Sequence, residues 1–449
     1  MTSEYQRVRR LVSGLRQSGD ADTWQRRLSP DHSPPPPRIR HAKRIIEPYL
    51  RDRWKILCDQ TAVSQRDQQL LCEPGRTSEV ACYEGNIENF IGTVQLPLGV
   101  AGPLRIRGTH ARGDYYVPLA TTEAALVASY HRGALLLTKA GGCTCVLLSE
   151  GLERSPGFDF ANLSDVGRFV VWATDNFGKF KCISEATSQH LQLCDMYVQV
   201  EGNHVYLSFE YTTGDAAGQN MVTIGTDAIC TYINEWSPVR PLHFLVEANF
   251  SGDKKASALS FTNVRGKKVT AEVIVPGSLV EKMLHATSEC MCRTWRMSAI
   301  GGVMSGTMGI QGHYANALAA LYIATGQDAA CIAESAVGVT RMELADDSSL
   351  YAAVTLPNLI VGTVGGGTAL PTQQACLRIG NLQGAGSAQQ LAEVCAAICL
   401  AGELSITGAI AAQEFTRAHR RLARGERGER SPHVQPISTS AKGVRPREP

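Results

Sequence analysis

The stretch ATTEAALVASYHRGALLLTKAGG, residues 120–142, decides how the rest of the chain is read. Ala and Leu fill it at helical spacing, Thr121 or Thr122 can cap its start, and Gly141 and Gly142 can end it. The pattern predicts a helix with Glu123 near its start, in apolar company. A carboxylate there either complements the helix dipole or carries chemistry.

Downstream the texture changes. RFVVWATDNF predicts a helix, and MYVQVEGNHVYLSFEYTT (196–213) alternates as a hairpin turning at Glu201-Gly202-Asn203. AICTYINEW then reads as helix and LHFLVEANF as strand, so the region forms a compact α+β unit, inserted into a larger domain. Residues 281–345 are Ala/Gly/Met-rich and predicted helical, with small residues that let helices approach closely. Upstream, HAKRIIEPYLRDRWKILCDQ (41–60) has apolar residues at helical spacing, and IGTVQLPLGVAGPL (91–104) reads as irregular loop or short strands. Residues 1–40, ending in SPPPPR, and 421–449 are polar and Pro/Gly-containing and read as disordered arms.

The 449 residues imply two or three domains, and 44% apolar with 19% charged residues suits a large buried core. A net charge of +2 gives no footprint for nucleic acid or an anionic membrane. No window of about 18 apolar residues suggests a membrane span, and the polar N-terminus lacks the apolar core of a secretory signal. The 14 Cys form no regular framework, which indicates a reduced, cytoplasmic setting. Cys143/Cys145 and Cys290/Cys292 lack zinc-site spacing and read as core thiols, so no metal is expected.

Four further segments stand out. GDAAGQNMVTIGTDA (214–228) has glycines before a helix start, where free N–H groups can receive an anion, yet it is not the dinucleotide fingerprint of a Rossmann domain. GTVGGGT (362–368) has three consecutive glycines, a backbone cost that a plain turn seldom needs. NFSGDKKAS (249–257) sets Lys254 beside Asp253, and ATGQDAA (324–330) sets Asp328 among small residues, where a buried carboxylate needs a partner. Two acids and a lysine in apolar surroundings, with glycine loops, suit acid–base chemistry on an anionic ligand.

In order along residues 85–419, these segments resemble the hydroxymethylglutaryl-coenzyme A (HMG-CoA) reductase family. The matching strings include ENFIGTVQLPLGVAGPL, PLATTEAALVASYHRGA, TGDAAGQNM, GHYANALAALYIATGQDAA, LPNLIVGTVGGGTALPTQQACL and AGELSITGAIAAQEFTRAH. The resemblance is to soluble, bacterial-type, biosynthetic (class I-like) members. It implies Glu123, Lys254, Asp328 and His419 as catalytic residues. It implies Ser188, Asp215, Gly218, Gln219, Asn220, Met221, Gly365, Gly366 and Gly367 around NADPH, with Glu88, Asn89, Ser129 and Asn316 on the HMG-CoA side.

Some positions depart from the family. Its Ser-Arg-Phe segment appears as Ser188-Gln189-His190, and Asn162 stands near where an arginine for the HMG carboxylate is expected. The implied fold is α+β. A large, mainly helical substrate domain (86–160 and 257–420) surrounds a central helix, with a helical segment (41–85) before it. A small ferredoxin-like NADPH domain (161–246) is inserted. The implied assembly is a homodimer or homotetramer with its active site between subunits, without nucleic acid or membrane. Catabolic, NAD-dependent mevalonate oxidation on the same fold is the alternative activity.

Overall fold

The computed structural model describes residues 47–72, 80–263 and 265–414, with isolated positions before 47. His419 and the 421–449 tail lie outside them. The chain divides into two compact units, 1–94 and 95–449. Numbered in chain order, the first unit holds α1 (Glu47–Gln60) and α2 (Gln65–Leu71). Ile45, Leu50, Trp54 and Phe90 form its buried cluster. Arg53 Nη1 donates to the Phe90 carbonyl at 2.8 Å and Trp54 Nε1 to that of Ile91 at 2.9 Å. These bonds carry residues 86–94 with the N-terminal helices, so the unit boundary falls at 94 rather than at the expected 85. Several described positions between Gln6 and Thr23 are helical, against the expectation of a disordered arm.

The second unit continues with β1 (Leu98–Gly108), β2 (Arg112–Ala120), α3 (Leu126–Lys139), β3 (Cys143–Arg154), β4 (Gly157–Asp159), α4 (Leu163–Asp175), α5 (Phe177–Glu185), β5 (Gln192–Glu201), β6 (His204–Thr212), α6 (Gln219–Trp236) and β7 (His243–Leu245). It ends with β8 (Gly266–Val275), α7 (Gly277–Leu284), α8 (Ser288–Ser305), α9 (Tyr314–Thr325), α10 (Ile332–Ser335), β9 (Val339–Leu344), β10 (Leu350–Leu359), α11 (Pro371–Ile379) and α12 (Ser387–Ala411). All ten strands join one sheet. Its spine is β3: the first part pairs with β1 and β8, and Leu152–Arg154 pair with β6. On one side run β2-β1-β3-β8-β10-β9; on the other, β5-β6-β4-β7. The second group has the chain order β-α-β-β-α-β, with α4 and α5 filling the first helical step.

Three expectations change. The large part is not mainly helical, because six strand segments cross it, and Val339–Leu344, inside the predicted helical run, is an edge strand against β10. Helix α3 begins at Leu126, after Ala125 in the left-handed region (φ 72°) and without a side-chain cap. Thr121 Oγ1 instead accepts from Glu123 N at 3.0 Å, so the TTE run closes a local turn and leaves Glu123 before the helix.

The core is organised by α12, which is buried along nearly its whole length. By length and composition it could cross a bilayer (mean hydropathy 1.9), but 83% of that window is buried inside the protein. Small residues allow its neighbours to approach: a Cβ on Gly133 of α3 would overlap the Ala401 carbonyl. Gly133→Ala is therefore expected to cost about 1–3 kcal/mol from overpacking. Urea denaturation reads this directly, and an unchanged midpoint would contradict so close a crossing.

Candidate active site

Lys254 sits in the loop between β7 and β8 with φ of 57°, a left-handed backbone that a lysine rarely adopts. Its Nζ lies 2.8 Å from Asp328 Oδ2, at the turn following α9. The loop is held from beneath by buried charges. Lys254 N donates to Glu334 Oε1 at 3.1 Å. Arg265 Nη1 reaches both Glu334 oxygens at 3.0 and 2.9 Å, and its Nη2 donates to Asp253. Arg154 Nη1 bridges Asp253 and Glu247 at 3.2 Å each. Arg265 and Glu334 are only 2% and 1% exposed, so each charge depends on the other for solvation.

These surroundings set the protonation states. The hydrogen bond to Asp328 raises the Lys254 pKa against the pull of burial. Burial pushes Asp328 up, but the hydrogen bonds from Lys254 and Ala330 N outweigh it and hold the carboxyl below its ordinary value. Burial lifts Glu334 to about 7, against the opposing pull of Arg265. The result is an ammonium that stays charged at neutral pH, the group needed to meet a developing oxyanion.

Glu123 lies elsewhere on the chain. Asn316 Nδ2 donates to both its oxygens, at 3.2 and 3.1 Å. The two line a cleft of about 310 Å³, open to solvent, together with Ser129, Arg132, His313 and Ile406. Ser129 Oγ is 2.9 Å from Ser405 Oγ on α12. The structure thus pairs Lys254 with Asp328 and Glu123 with Asn316. The expectation of dry, apolar surroundings fails for the single chain: Glu123 is exposed, and Lys254 and Asp328 side chains are 43% and 44% exposed. Each stands on a loop or turn at the surface rather than within a helix or core. Glu88 and Asn89 lie exposed in the first unit.

The two glycine loops meet. Thr363 N donates to the Asp215 carbonyl at 2.9 Å, and Ala216 forms a bridge with Val364. Gly218 precedes α6 with φ of 77°, and a Cβ there would overlap the Thr213 side chain. Asn220 is exposed on the first turn of α6, while Met221 packs against the core. Gly365 and Gly366 are exposed with open space beside them, and Gly367 packs against Gly326. Ser188 lies in the turn after α5, whose neighbours Ser184, Thr187 and Leu191 contact Gly225 of α6. Two cofactor candidates do other work. Asp215 accepts from Gly386 N and Ala388 N at 3.0 and 2.9 Å, capping α12, and Gln219 turns into the buried charge network. Asn162, near the expected arginine, caps α4 by accepting from Asp165 N.

Among the described residues no group of three or more His, Cys, Asp or Glu is placed to hold a metal. Sequence reading missed Arg154, Arg265, Glu247 and Glu334. The available signal was Glu334, the one charged residue between Asp328 and Arg341.

The family model for hydroxymethylglutaryl-coenzyme A reductase matches residues 50–424. The chain belongs to that family. The 3-hydroxy-3-methylglutaryl-coenzyme A reductase of Methanocaldococcus jannaschii is 41% identical over 359 residues, covering 79% of this chain and 88% of its own. That of Pyrococcus horikoshii is 42% identical over 348 residues, covering 76% and 84%. These relatives are archaeal, whereas the sequence reading set the chain beside bacterial members. A class II HMG-CoA reductase structure from Streptococcus pneumoniae, bound to NADPH, superposes with TM-score 0.60 at 18% identity, covering 77% of this chain and 84% of that one. At that identity it shares the reductase fold.

Glu334→Ala is expected to destabilise this reductase-family fold by about 3–5 kcal/mol, because it leaves the Arg265 charge buried with one partner fewer. Chemical denaturation measures it; a loss below about 1 kcal/mol would mean that water replaces the pair.

Proposed function

We propose that the chain reduces HMG-CoA to mevalonate and free coenzyme A with two NADPH, as a class I-like biosynthetic enzyme serving isoprenoid synthesis in the cytoplasm. The carrying observation is Lys254, charged and paired with Asp328 on a loop locked by buried guanidinium–carboxylate bonds. Each reductive stage places negative charge on a carbonyl oxygen, and Lys254 stabilises it. Asp328 aims the ammonium and keeps it protonated. Glu123, steadied by Asn316, delivers the proton to that oxygen. The hemithioacetal from the first stage expels coenzyme A thiolate, and His419 protonates it so that it cannot return.

The paired glycine loops suit a dinucleotide phosphate. The start of α6 offers unpaired N–H groups beside exposed Asn220, and the nearby Asp215 carboxylate is turned away to accept from the start of α12. Asn220, Met221, Gly218 and Gly365–Gly367 would hold NADPH, with Ser188 toward its ribose phosphate; when bound, it supplies the hydrides. The segment from α4 to β7 (about 161–246) is the inserted ferredoxin-like cofactor domain in this reading, and Ser129 lines the HMG-CoA side.

The working unit is a homodimer or homotetramer, in which Glu123 of one copy faces Lys254 and Asp328 of another. The exposure of all three supports this, as does an uncovered apolar stripe on α8 formed by Met297, Ile300 and Met304.

HMG-CoA-dependent oxidation of NADPH, two per coenzyme A released and faster than with NADH, is the deciding measurement; a higher kcat/KM with NADH would indicate mevalonate oxidation instead. Lys254→Ala is expected to lower kcat by about 10²–10³-fold with the fold intact, and retention of a tenth of the activity would remove Lys254 from the role. His419→Gln should slow HMG-CoA reduction far more than reduction of free mevaldehyde, which carries no thiolate to protonate. Equal losses on the two substrates would sink that assignment.

A further inference from the structure

Gln219 begins α6 inside the DAAGQNM loop, yet its side chain leaves the cofactor side. Its Oε1 receives Arg265 Nη2 at 3.1 Å and Arg154 Nη2 at 3.4 Å. Guanidinium groups only donate, so the amide oxygen must face them. The amide nitrogen is thereby fixed in the opposite direction, where Nε2 donates to Cys331 Sγ at 3.0 Å. Cys331 is fully buried and sits three residues beyond Asp328. Its backbone N donates to the Asp328 carbonyl at 3.0 Å, so the two residues share one turn. The amide of Gln219 is thereby tied, through the buried sulfur, to the turn that holds Asp328.

The same side chain reaches Lys254 by a second route. Arg265, held on one side by the Gln219 oxygen, binds Asp253 and Glu334, and Glu334 accepts from Lys254 N. One route thus sets the lysine's backbone, and the other sets the carboxylate that aims its ammonium.

We propose that Gln219 is a positioning residue that ties the cofactor loop to the Lys254–Asp328 pair, directly through Cys331 and indirectly through Arg265. This rests on the reductase reading above. Gln219 does not touch substrate in this account; it fixes where the ammonium stands relative to the loop that holds the hydride donor. A displacement of about 1 Å at such a site costs on the order of 100-fold in rate.

The test separates the two routes. Gln219→Glu keeps an acceptor for the guanidiniums but cannot donate to the thiol. Cys331→Ala removes the same bond from its other end, and Cys331→Ser preserves the acceptor. For Gln219→Glu and Cys331→Ala, kcat is expected to fall about 10- to 100-fold, with the KM for HMG-CoA within about threefold of wild type. The NADPH dissociation constant, measured by fluorescence without HMG-CoA, should stay within about threefold. The double variant should be no slower than the slower single one, and Cys331→Ser should recover most of the loss. Multiplying losses in the double variant, a nucleotide affinity that falls in step with kcat, or both single variants within twofold of wild type would each overturn the proposal. If Gln219→Glu fails to fold, the Cys331→Ala and Cys331→Ser pair decides by the same criteria. A wild-type protein that binds NADPH but oxidises none with HMG-CoA would overturn the reductase reading itself, a result distinct from those above.

Discussion

The arrangement depends on one interaction: the buried bidentate pair of Arg265 with Glu334. Taking two charges out of water is costly, and their attraction offsets that only with good geometry and further hydrogen bonds. Both conditions hold. Arg265 also binds Asp253 and Gln219, and Glu334 also accepts from Lys254 N. The pair adds little net stability in return. What it supplies is rigidity, because a left-handed lysine persists only where its surroundings over-determine it.

Carboxylates on α12 extend the same logic through an otherwise apolar helix. Glu403 accepts from Gly312 N and His313 N, at the start of α9, and from Thr340 Oγ1. That fixes the helix bearing Asn316, which in turn steadies Glu123. Ten residues earlier, Glu393 gathers the N–H groups of Thr109, His110 and Ala111 in the β1–β2 turn. At its start α12 is capped by Asp215, from the loop before α6. One buried helix therefore sets the spacing of three surface loops, each through a carboxylate it holds or receives. The glutamates also separate α12 from a membrane span of similar hydropathy, since each is matched by backbone donors within the protein.

Much of this was legible in the sequence, and the limits have physical causes. The hairpin at 192–212 and helices α1, α4 and α6 follow from periodicity, which local packing did not override. The two glycine loops were recognisable because glycine runs have few other uses. Glu123 was misplaced onto a helix because TTEAA satisfies the rules for a cap, while a side-chain bond within the turn competes with the helix and Asn316 takes the carboxylate. Arg154 and Arg265 were invisible because an arginine in a sequence looks solvated; only the fold shows that three carboxylates and an amide converge on the two. Asp215 and Gln219 read as cofactor contacts in the sequence, and no pattern in the loop tells which side chains turn inward.

The exposure of Lys254 completes the argument for assembly. Two unit charges 4 Å apart interact by about 1 kcal/mol in water and about 4 kcal/mol at the effective dielectric near a protein surface. Stabilising an oxyanion enough to speed a hydride transfer 10²-fold requires close to 3 kcal/mol, a value between those two limits. In the single chain the Lys254 side chain is 43% exposed and Asp328 44% exposed, so the pair is preorganised but wet. Substrate and a second surface must exclude that water before the charge acts at full strength. Glu123 is likewise exposed, in the cleft it lines with Asn316. In the proposed assembly the cleft bearing Glu123 covers the loop bearing Lys254, so that both lose their water together and assembly becomes part of the chemistry.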